Sequence, residues 1–242
     1  MTMSFPYRRI LLKLSGEIFL GKQSFGINEQ ACQHVASAIS SLHQLGLEIA
    51  VVLGGGNIFR GIHLEKMGLE RTAADHMGML ATMMNGIALQ QALQNHSCDA
   101  KVMSALECPK VVESYHWRDA MPLMSAGHIL IFVGGTGNPY FTTDTAAALR
   151  ASEIHADILM KATKVDGVFN KDPQQYPDAV KYETLSYSKA FTEKLEVMDA
   201  TAIALCRKND IPIFVFNMER LWDEAILTVL SHPEIGTMVK GE

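Results

Sequence analysis

The chain has 242 residues, of which 48% are hydrophobic, and its formal net charge is −5. This length allows one large α/β domain or two small ones, and the composition is ordinary for a packed globular core. The 21 lysines and arginines are spread along the sequence, which argues against an extended nucleic-acid-binding face.

The apolar runs and the first residues indicate no membrane attachment. No apolar run approaches the roughly 20 residues that a membrane span requires, and the N-terminal residues reach charge and glycine too soon for a signal peptide. We therefore expect a cytoplasmic protein. The four cysteines form no CxxC pair and the nine histidines no HExxH pattern, which favours reduced thiols over a zinc site.

Short apolar runs alternate with helical periodicity along the chain. The runs predict strands at residues 9–14, 48–53, 100–103, 128–133, 157–161 and 212–216. Predicted helices follow a cap at Asn28, cover residues 72–95, run from a cap at Asp199 through Cys206, and cover residues 221–230. This alternation predicts an α/β fold, a three-layer α/β/α sandwich with a mostly parallel central sheet. Ligands of such sheets bind beyond the carboxyl ends of the strands.

Three consecutive glycines follow the second predicted strand in the run VVLGGGNIFRG. Glycines cost backbone entropy, so we expect a positive φ angle or a close approach to bare backbone here. Neither a Walker A motif nor GxGxxG is present. Backbone N–H groups at the start of a helix bind anions, and Arg60 can clamp a phosphate with two hydrogen bonds. Because similar turns follow other predicted strands, phosphate binding is favoured over a purely structural turn.

Two lysines lie near the ends of predicted strands. Lys13 and Lys161 occupy apolar runs, where an ammonium needs an anionic partner or access to water. Together they can neutralise the charge that develops on a transferring phosphoryl group. Asp144 lies at a predicted helix start, where it either positions these lysines, holds Mg²⁺ indirectly, or serves as an N-cap. Position alone does not separate the cap from the catalytic role.

Five motifs, KLSGE, GGGNIFRG, DHMGMLATMMNG, GTGNPYFTTDTAA and KATKVDGVFNKDP, occur in this order over nearly the entire chain. In this succession the chain resembles the bacterial uridylate (UMP) kinases of the amino acid kinase superfamily. The resemblance implies one domain with the amino acid kinase fold over residues 1–242, with an acceptor-binding lobe over residues 1–155 and an ATP-binding lobe over residues 156–242. It also implies transfer of the γ-phosphoryl group of ATP to UMP, giving UDP for pyrimidine nucleotide biosynthesis. Mg²⁺ is implied as a cofactor, without direct ligation by the protein.

Residue by residue, the resemblance implies two nucleotide sites. ATP contacts fall on Lys13, Leu14, Ser15, Gly16, Gly56, Arg60, Thr163, Phe169 and Asp172. UMP contacts fall on Gly55, Asp75, Thr136, Gly137, Asn138, Pro139, Tyr140, Phe141, Thr142 and Thr143, with Asp75 accepting hydrogen bonds from ribose hydroxyls. Catalytic roles fall on Lys13, Arg60, Asp144 and Lys161. No general base is needed, because the acceptor phosphate is already ionised at neutral pH.

The family resemblance also implies regulation and assembly. A segment that mediates GTP activation in the family aligns with Gly21, Lys22, Gln23, Ser24, Phe25 and Gly26, although many relatives have glycine in place of Ser24. GTP and UTP effectors and a homohexamer built from dimers are implied. The methionines of the long predicted helix belong either to the core or to a contact with a partner chain; they are Met77, Met79, Met83 and Met84.

Two other functions compete with this interpretation. One is a small-carboxylate or carbamate kinase on the same fold, but Arg60 and Asp75 suit a dianionic phosphate and a vicinal diol, which an amino acid lacks. The other is a non-catalytic nucleotide-binding regulatory or storage protein. The two lysines and Asp144 argue against it, because binding alone does not require that set.

Overall fold

The computed structural model describes residues 6–59, 68–221 and 232–241. Within these ranges the strands are β1 (Arg9–Leu14), β2 (Glu48–Leu53), β3 (Ala100–Ser104), β4 (Glu113–Ser114), β5 (Ile129–Val133), β6 (Ile158–Thr163), β7 (Thr184–Ser186), β8 (Ile213–Asn217) and β9 (Thr237–Lys240). They form one sheet in the order β4-β3-β5-β2-β1-β6-β8-β9-β7. Paired strands run parallel except β8 and β9, which pair antiparallel.

The α-helices of the described ranges are α1 (Glu29–Gln44), α2 (Arg71–Asn95), α3 (Trp117–Ser125), α4 (Thr143–Glu153), α5 (Tyr187–Thr192) and α6 (Ala200–Lys208). Short 3-10 turns cover Gly16–Phe19, Met218–Leu221 and Pro233–Ile235. The Asn28 side chain accepts a hydrogen bond from the N–H of Ala31 at 3.0 Å, and Asp199 accepts one from Ala202 at 2.9 Å. Both predicted helix caps are therefore confirmed.

Helices cover both faces of the sheet and bury two apolar cores. Along β1, Ile10, Leu12 and Leu14 join the core beneath α1 and α2, while Leu11 joins the core beneath α3 to α6. The alternation follows from the two-residue period of a strand, and burial on both faces explains the continuous apolar runs. The expected three-layer α/β/α sandwich is confirmed.

The six predicted strands are all present, with small differences at their ends. Strands β4, β7 and β9 were not predicted, because each is short and lies at or near a sheet edge, where the apolar pattern is weak. The helix predicted over residues 221–230 lies almost wholly outside the described residues. Among the methionines of α2, Met79 and Met83 are buried, while Met84 is 53% exposed. In the described ranges, no helix has both the length and the apolarity to cross a bilayer.

Candidate active site

The central strands of the sheet end at one edge. β5, β2, β1 and β6 are neighbours in this order and run parallel, so their carboxyl ends lie side by side. The turns that follow them carry the predicted phosphate-binding residues. The topology therefore gathers sequence segments from all over the chain into one site, as open α/β sheets do.

Lys13, Asp144 and Lys161 form a charged cluster at this edge. Lys13 and Lys161 are paired in the register of β1 and β6, so their side chains leave the same face of the sheet. Lys13 Nζ lies 2.6 Å from Asp144 Oδ1, and Lys161 Nζ lies 2.7 Å from Asp144 Oδ2. One carboxylate thus holds both ammonium groups, and the three side chains are only 11 to 16% exposed.

The two ammonium groups differ in their remaining contacts. Lys161 Nζ also donates a hydrogen bond to the carbonyl oxygen of Val197 at 2.7 Å. An ammonium has three N–H donors, and Lys161 directs two of them to the protein. The contact that the described residues provide for Lys13 is the one with Asp144. Lys13 is therefore better placed to bind an additional anion.

Electrostatics within the cluster favour the ionised carboxylate. Burial raises the pKa of Asp144, but the charges of Lys13 and Lys161 outweigh burial and hold that pKa below its ordinary value. Burial lowers the pKa of Lys161, Asp144 opposes this shift, and Lys13 adds to it. With all three groups ionised, the cluster carries one net positive charge, which suits an anionic ligand.

The start of α4 fixes the position of Asp144. Thr142 is the N-cap of this helix, and its hydroxyl oxygen accepts hydrogen bonds from the N–H groups of Asp144 at 3.0 Å and Thr145 at 3.4 Å. The interpretation of Asp144 as an N-cap is therefore wrong. Asp199 accepts hydrogen bonds from the hydroxyls of Thr142 and Thr145 at 2.5 and 2.8 Å while it caps α6. Asp199 thus ties the starts of the two helices together.

The triple glycine turn owes two of its glycines to close backbone packing. None of the three has a positive φ angle. A Cβ at Gly54 would lie 2.9 Å from the backbone nitrogen of Gly16, and a Cβ at Gly55 would lie 2.7 Å from the carbonyl oxygen of Gly78. At Gly56, the nearest atom of the described residues is Glu17 Cγ at 3.9 Å. Packing within the described protein therefore requires glycine at 54 and 55 but not at 56.

A buried pair of asparagines supports this turn from below. Each side-chain amide of Asn57 and Asn85 donates to the other, at 2.9 and 2.7 Å, and both residues are buried. The Asn85 amide also donates to the carbonyl oxygen of Gly54 at 2.8 Å. The Asn57 amide donates to the carbonyl of Gly26, whose N–H donates to the carbonyl of Asn57. These bonds join α2, the glycine turn and the segment of residues 21–26.

The first cleft of the site lies between α2, the glycine turn and the start of α4. It is lined by Gly55, Gly56, Phe59, Ala74, Asp75, Gly78, Met79, Thr82, Gly135, Phe141, Thr142 and Thr143. The Asp75 carboxylate accepts hydrogen bonds from Arg71 Nε at 2.9 Å and from the N–H of Tyr140 at 2.7 Å. Tyr140 has a φ angle of 70°, which is uncommon outside glycine and points to a constrained backbone at this cleft.

The second and third clefts adjoin each other beyond β6. The second is lined by Lys13, Ser15, Asp144, Lys161, Ala162, Thr163, Lys164, Val165, Gly167, Glu196, Val197, Met198 and Val215. The third shares Val165, Gly167 and Glu196 with it and adds Phe169, Asp172 and neighbouring residues. Lys164 of the second cleft forms an ion pair with Glu17. The charged cluster therefore borders the second cleft, and Thr143 of the first cleft directly precedes Asp144.

Comparison with known proteins identifies the family. A sequence model described as "Amino acid kinase family" matches residues 8–217. The chain belongs to the amino acid kinase family. It is 60% identical to a uridylate kinase of Protochlamydia amoebophila (strain UWE25), over 98% of this chain and 94% of that one. Solved structures of UMP kinases from Ureaplasma parvum and Bacillus anthracis superimpose with TM-scores of 0.91 and 0.93. They are 38% and 34% identical, and cover 97% and 98% of this chain and 99% and 97% of theirs.

Not all of the other predicted site residues of this amino acid kinase line the clefts. Leu14 is fully buried, its carbonyl accepts the N–H of Gly54, and it does not line any of the three clefts. Ser15 caps the 3-10 turn that begins at Gly16. Thr136, Gly137, Asn138 and Pro139 form the exposed or half-buried turn before Tyr140 and are not part of the first-cleft lining. Arg60 lies outside the described residues.

The predicted effector segment is an exposed turn. Gly21 to Phe25 are exposed, and Gly21 and Gly26 have φ angles of +54° and +87°. A Cβ at Gly21 would also lie 2.9 Å from the side chain of Asn28. Within the described residues, the bonds between Gly26 and Asn57 described above connect this turn to the glycine turn of the site.

Sequence analysis missed several residues of the site. Thr82 is buried in α2, accepts the N–H of Gly134 at 2.7 Å and so joins α2 to the turn after β5. Asn85 and the contact of Asp199 with α4 were also missed. The sequence offered one indication of such a residue, which is a polar side chain on an otherwise apolar helix face. A side chain of this kind is buried only when it has a hydrogen-bond partner. Their partners lie far away in sequence, so the pattern alone could not identify them.

Proposed function

We propose that this protein transfers the γ-phosphoryl group of ATP to UMP and thereby forms ADP and UDP. The observation that carries the proposal is the buried Lys13–Asp144–Lys161 cluster, which borders the second cleft and adjoins the first. Phosphoryl transfer requires positioning and charge neutralisation more than covalent chemistry. A net positive cluster between two clefts supplies both.

The residues of the cluster have separate roles in this proposal. Lys13 binds the phosphate that moves, because it has donors beyond its contact with Asp144. Lys161 is held by Asp144 and the Val197 carbonyl, so it contributes charge from a fixed position. Asp144 orients both lysines. Arg60 follows the glycine turn in sequence and is proposed as the clamp on the phosphates where donor and acceptor meet.

Mg²⁺ is the cofactor of this reaction and accompanies the ATP phosphates. Both oxygens of the Asp144 carboxylate already contact ammonium groups, so this side chain is poorly suited to bind a cation directly. In the described ranges, no group of three or more His, Cys, Asp or Glu side chains is arranged to hold a metal ion. When bound, Mg²⁺ supplies charge neutralisation to the phosphate oxygens.

The first cleft is proposed to bind UMP. Its glycine turn takes the acceptor phosphate through Gly55, and Asp75 accepts hydrogen bonds from the ribose diol. Arg71, which is half exposed, shares the Asp75 carboxylate with that diol or turns away from it. The remaining proposed contacts wrap the uracil and phosphate through the turn and the start of α4; they are Thr136, Gly137, Asn138, Pro139, Tyr140, Phe141, Thr142 and Thr143.

The second and third clefts are proposed to bind ATP. The phosphates lie along Lys13, Ser15, Gly16 and Gly56, with the backbone of Leu14 beside them, and the nucleoside reaches Thr163, Phe169 and Asp172. The first cleft draws on residues 55–143 and the other two mainly on residues 161–215. This distribution supports an acceptor lobe over residues 1–155 and an ATP lobe over residues 156–242.

One assay separates this function from its two rivals. ADP release, followed with ATP and Mg²⁺, is measured separately with UMP, CMP and glutamate as acceptors. We expect release with UMP well above that with CMP and none with glutamate. Release with glutamate alone would favour the carboxylate kinase. Binding of both nucleotides without any release would favour a regulatory or storage protein.

Assembly and regulation extend the proposal. Leu80, Met84 and Ile87 are 52%, 53% and 40% exposed and lie at i, i+4 and i+7 on α2, which supports contact with a second copy of the chain and a homohexamer built from dimers.

The cytoplasm is the proposed location. GTP is a proposed effector that acts through Gly21 to Gly26, and UTP is a second proposed effector. Titration of GTP at subsaturating UMP tests this, and a flat response would contradict it.

A further inference from the structure

Gly78 lies inside α2, at a position where the described residues give no packing reason for glycine. Its φ angle is not positive, and glycine in a helix interior is less stable than alanine. Within the described residues, no atom lies within 4 Å of the Cβ that an alanine would place there. The conformation and packing of the described protein therefore permit a side chain at this position.

The other glycine of α2 shows the contrast. A Cβ at Gly86 would lie 2.6 Å from Val133 Cγ1 and 3.2 Å from Val102 Cγ1. Gly86 therefore allows the helix to pack closely against β5 and β3. Gly86 has a packing explanation within the described protein, whereas Gly78 has none there.

Gly78 lines the first cleft, in the part between two proposed contacts of the acceptor. Asp75 lies one turn earlier on the same face of α2. On the other side, the carbonyl oxygen of Gly78 is 2.7 Å from the Cβ position of Gly55. The glycine turn, Gly78 and Asp75 all line this cleft, so a ligand that contacts both the turn and Asp75 lies beside the bare backbone of Gly78.

We propose that Gly78 allows the acceptor to bind by leaving room for the 5′-phosphoribosyl part of the nucleotide. This inference rests on the proposed function, in which phosphate lies at Gly55 and the ribose diol at Asp75. The segment that joins phosphate to ribose is common to all nucleoside monophosphates. Gly78 therefore accommodates the sugar-phosphate and does not distinguish between bases.

The Gly78→Ala variant tests the proposal because its effects on stability and on binding have opposite signs. The melting temperature should rise by about 2 to 4 °C, since alanine is the better helix former. The KM for UMP and the Kd for UMP by calorimetry without ATP should both rise by about tenfold or more, because an added methyl overfills the cleft. The KM for ATP should stay unchanged. The ratio of kcat/KM for UMP to that for dUMP should also stay unchanged, because both share the 5′ segment.

Gly86→Ala is the matched control in the same helix. It should lower the melting temperature and change the UMP affinity little. A Gly78→Ala protein with unchanged UMP affinity would overturn the proposal, and so would one that is destabilised like Gly86→Ala. If the wild type releases no ADP with UMP, the proposed function fails. A wild type that is active with UMP alongside an unaffected variant contradicts the Gly78 inference alone.

Discussion

At the scale of single residues, the Asp144 carboxylate is expected to contribute both to catalysis and to the stability of the fold. We expect Asp144→Asn to lower kcat by a factor on the order of 10² to 10³ with nucleotide affinity largely retained, since positioned electrostatic groups act mainly in the transition state. The variant also leaves two partly buried ammonium groups without their carboxylate, which should cost about 3 to 5 kcal/mol of unfolding free energy. Coupled ADP assays, calorimetry and urea unfolding measure the three quantities.

Ser186→Ala is a control for this prediction. Ser186 caps α5, accepts the N–H of Lys189 at 3.2 Å and does not line any of the three clefts. Its loss should cost about 1 kcal/mol of stability and leave kcat unchanged. An Asp144→Asn protein that behaves like Ser186→Ala would show that Asp144 serves structure only.

The same carboxylate makes stability depend on acid pH. Its pKa in the folded state is below the ordinary value for an aspartate, so Asp144 contributes stability that is present above the unfolded pKa and lost as the pH falls through the folded pKa. As the pH is lowered from neutral to below 3.8, the urea concentration at the unfolding midpoint should therefore fall more steeply for the wild type than for Asp144→Asn. Parallel curves for the two proteins would contradict the depressed pKa.

The glycine turn offers a second test at residue scale. Gly56→Ala should fold with unchanged stability, because the described protein leaves space for its Cβ, and should weaken nucleotide binding by about tenfold or more. Gly54→Ala should instead lose about 1 to 3 kcal/mol of stability, because its Cβ meets the backbone of Gly16. Thermal melts and KM values for both nucleotides distinguish the two. Equal destabilisation of both variants would show that Gly56 also serves packing.

At the scale of elements, the sequence predicted the central strands well because they are buried on both faces. β1 and β2 agree with the prediction at both ends. β9 and β7 could not be predicted, since their pairing depends on neighbours that are distant in the chain. The same reason applies in the site. Lys13 and Lys161 were recognisable as unusual in apolar strands, but their shared carboxylate depends on strand register and on the placement of α4.

The asparagine pair beneath the glycine turn was equally inaccessible to sequence analysis, and it supports a prediction. Asn85→Ala removes the donor to Asn57 Oδ1 and to the Gly54 carbonyl oxygen, which should cost about 1 to 3 kcal/mol of stability. It should also lower kcat, because the phosphate-binding turn loses its support from α2. Urea unfolding and ADP release measure the two effects.

Gln90→Ala provides the comparison within the same helix. Its amide donates to the carbonyl oxygen of Ala100 at 2.8 Å and does not contact the turn. We expect a loss of stability with kcat intact. If Asn85→Ala likewise keeps full turnover, the pair stabilises the fold without positioning the turn.

At the scale of the whole molecule, the apolar stripe of Leu80, Met84 and Ile87 lies on α2, the helix whose other side carries Asp75 and Gly78 of the first cleft. If a second copy packs against this stripe, Met84→Glu places a charge in the interface and should produce a smaller species in sedimentation velocity. The melting temperature should fall as well, because association stabilises the folded chain by mass action.

Val180→Glu is the control, since Val180 is 62% exposed on a loop away from α2. It should leave the sedimentation coefficient unchanged. A Met84→Glu protein that sediments like the wild type would show that this stripe is not an interface between copies of the chain. A smaller species with a raised KM for UMP would show that assembly stabilises α2 where the acceptor binds.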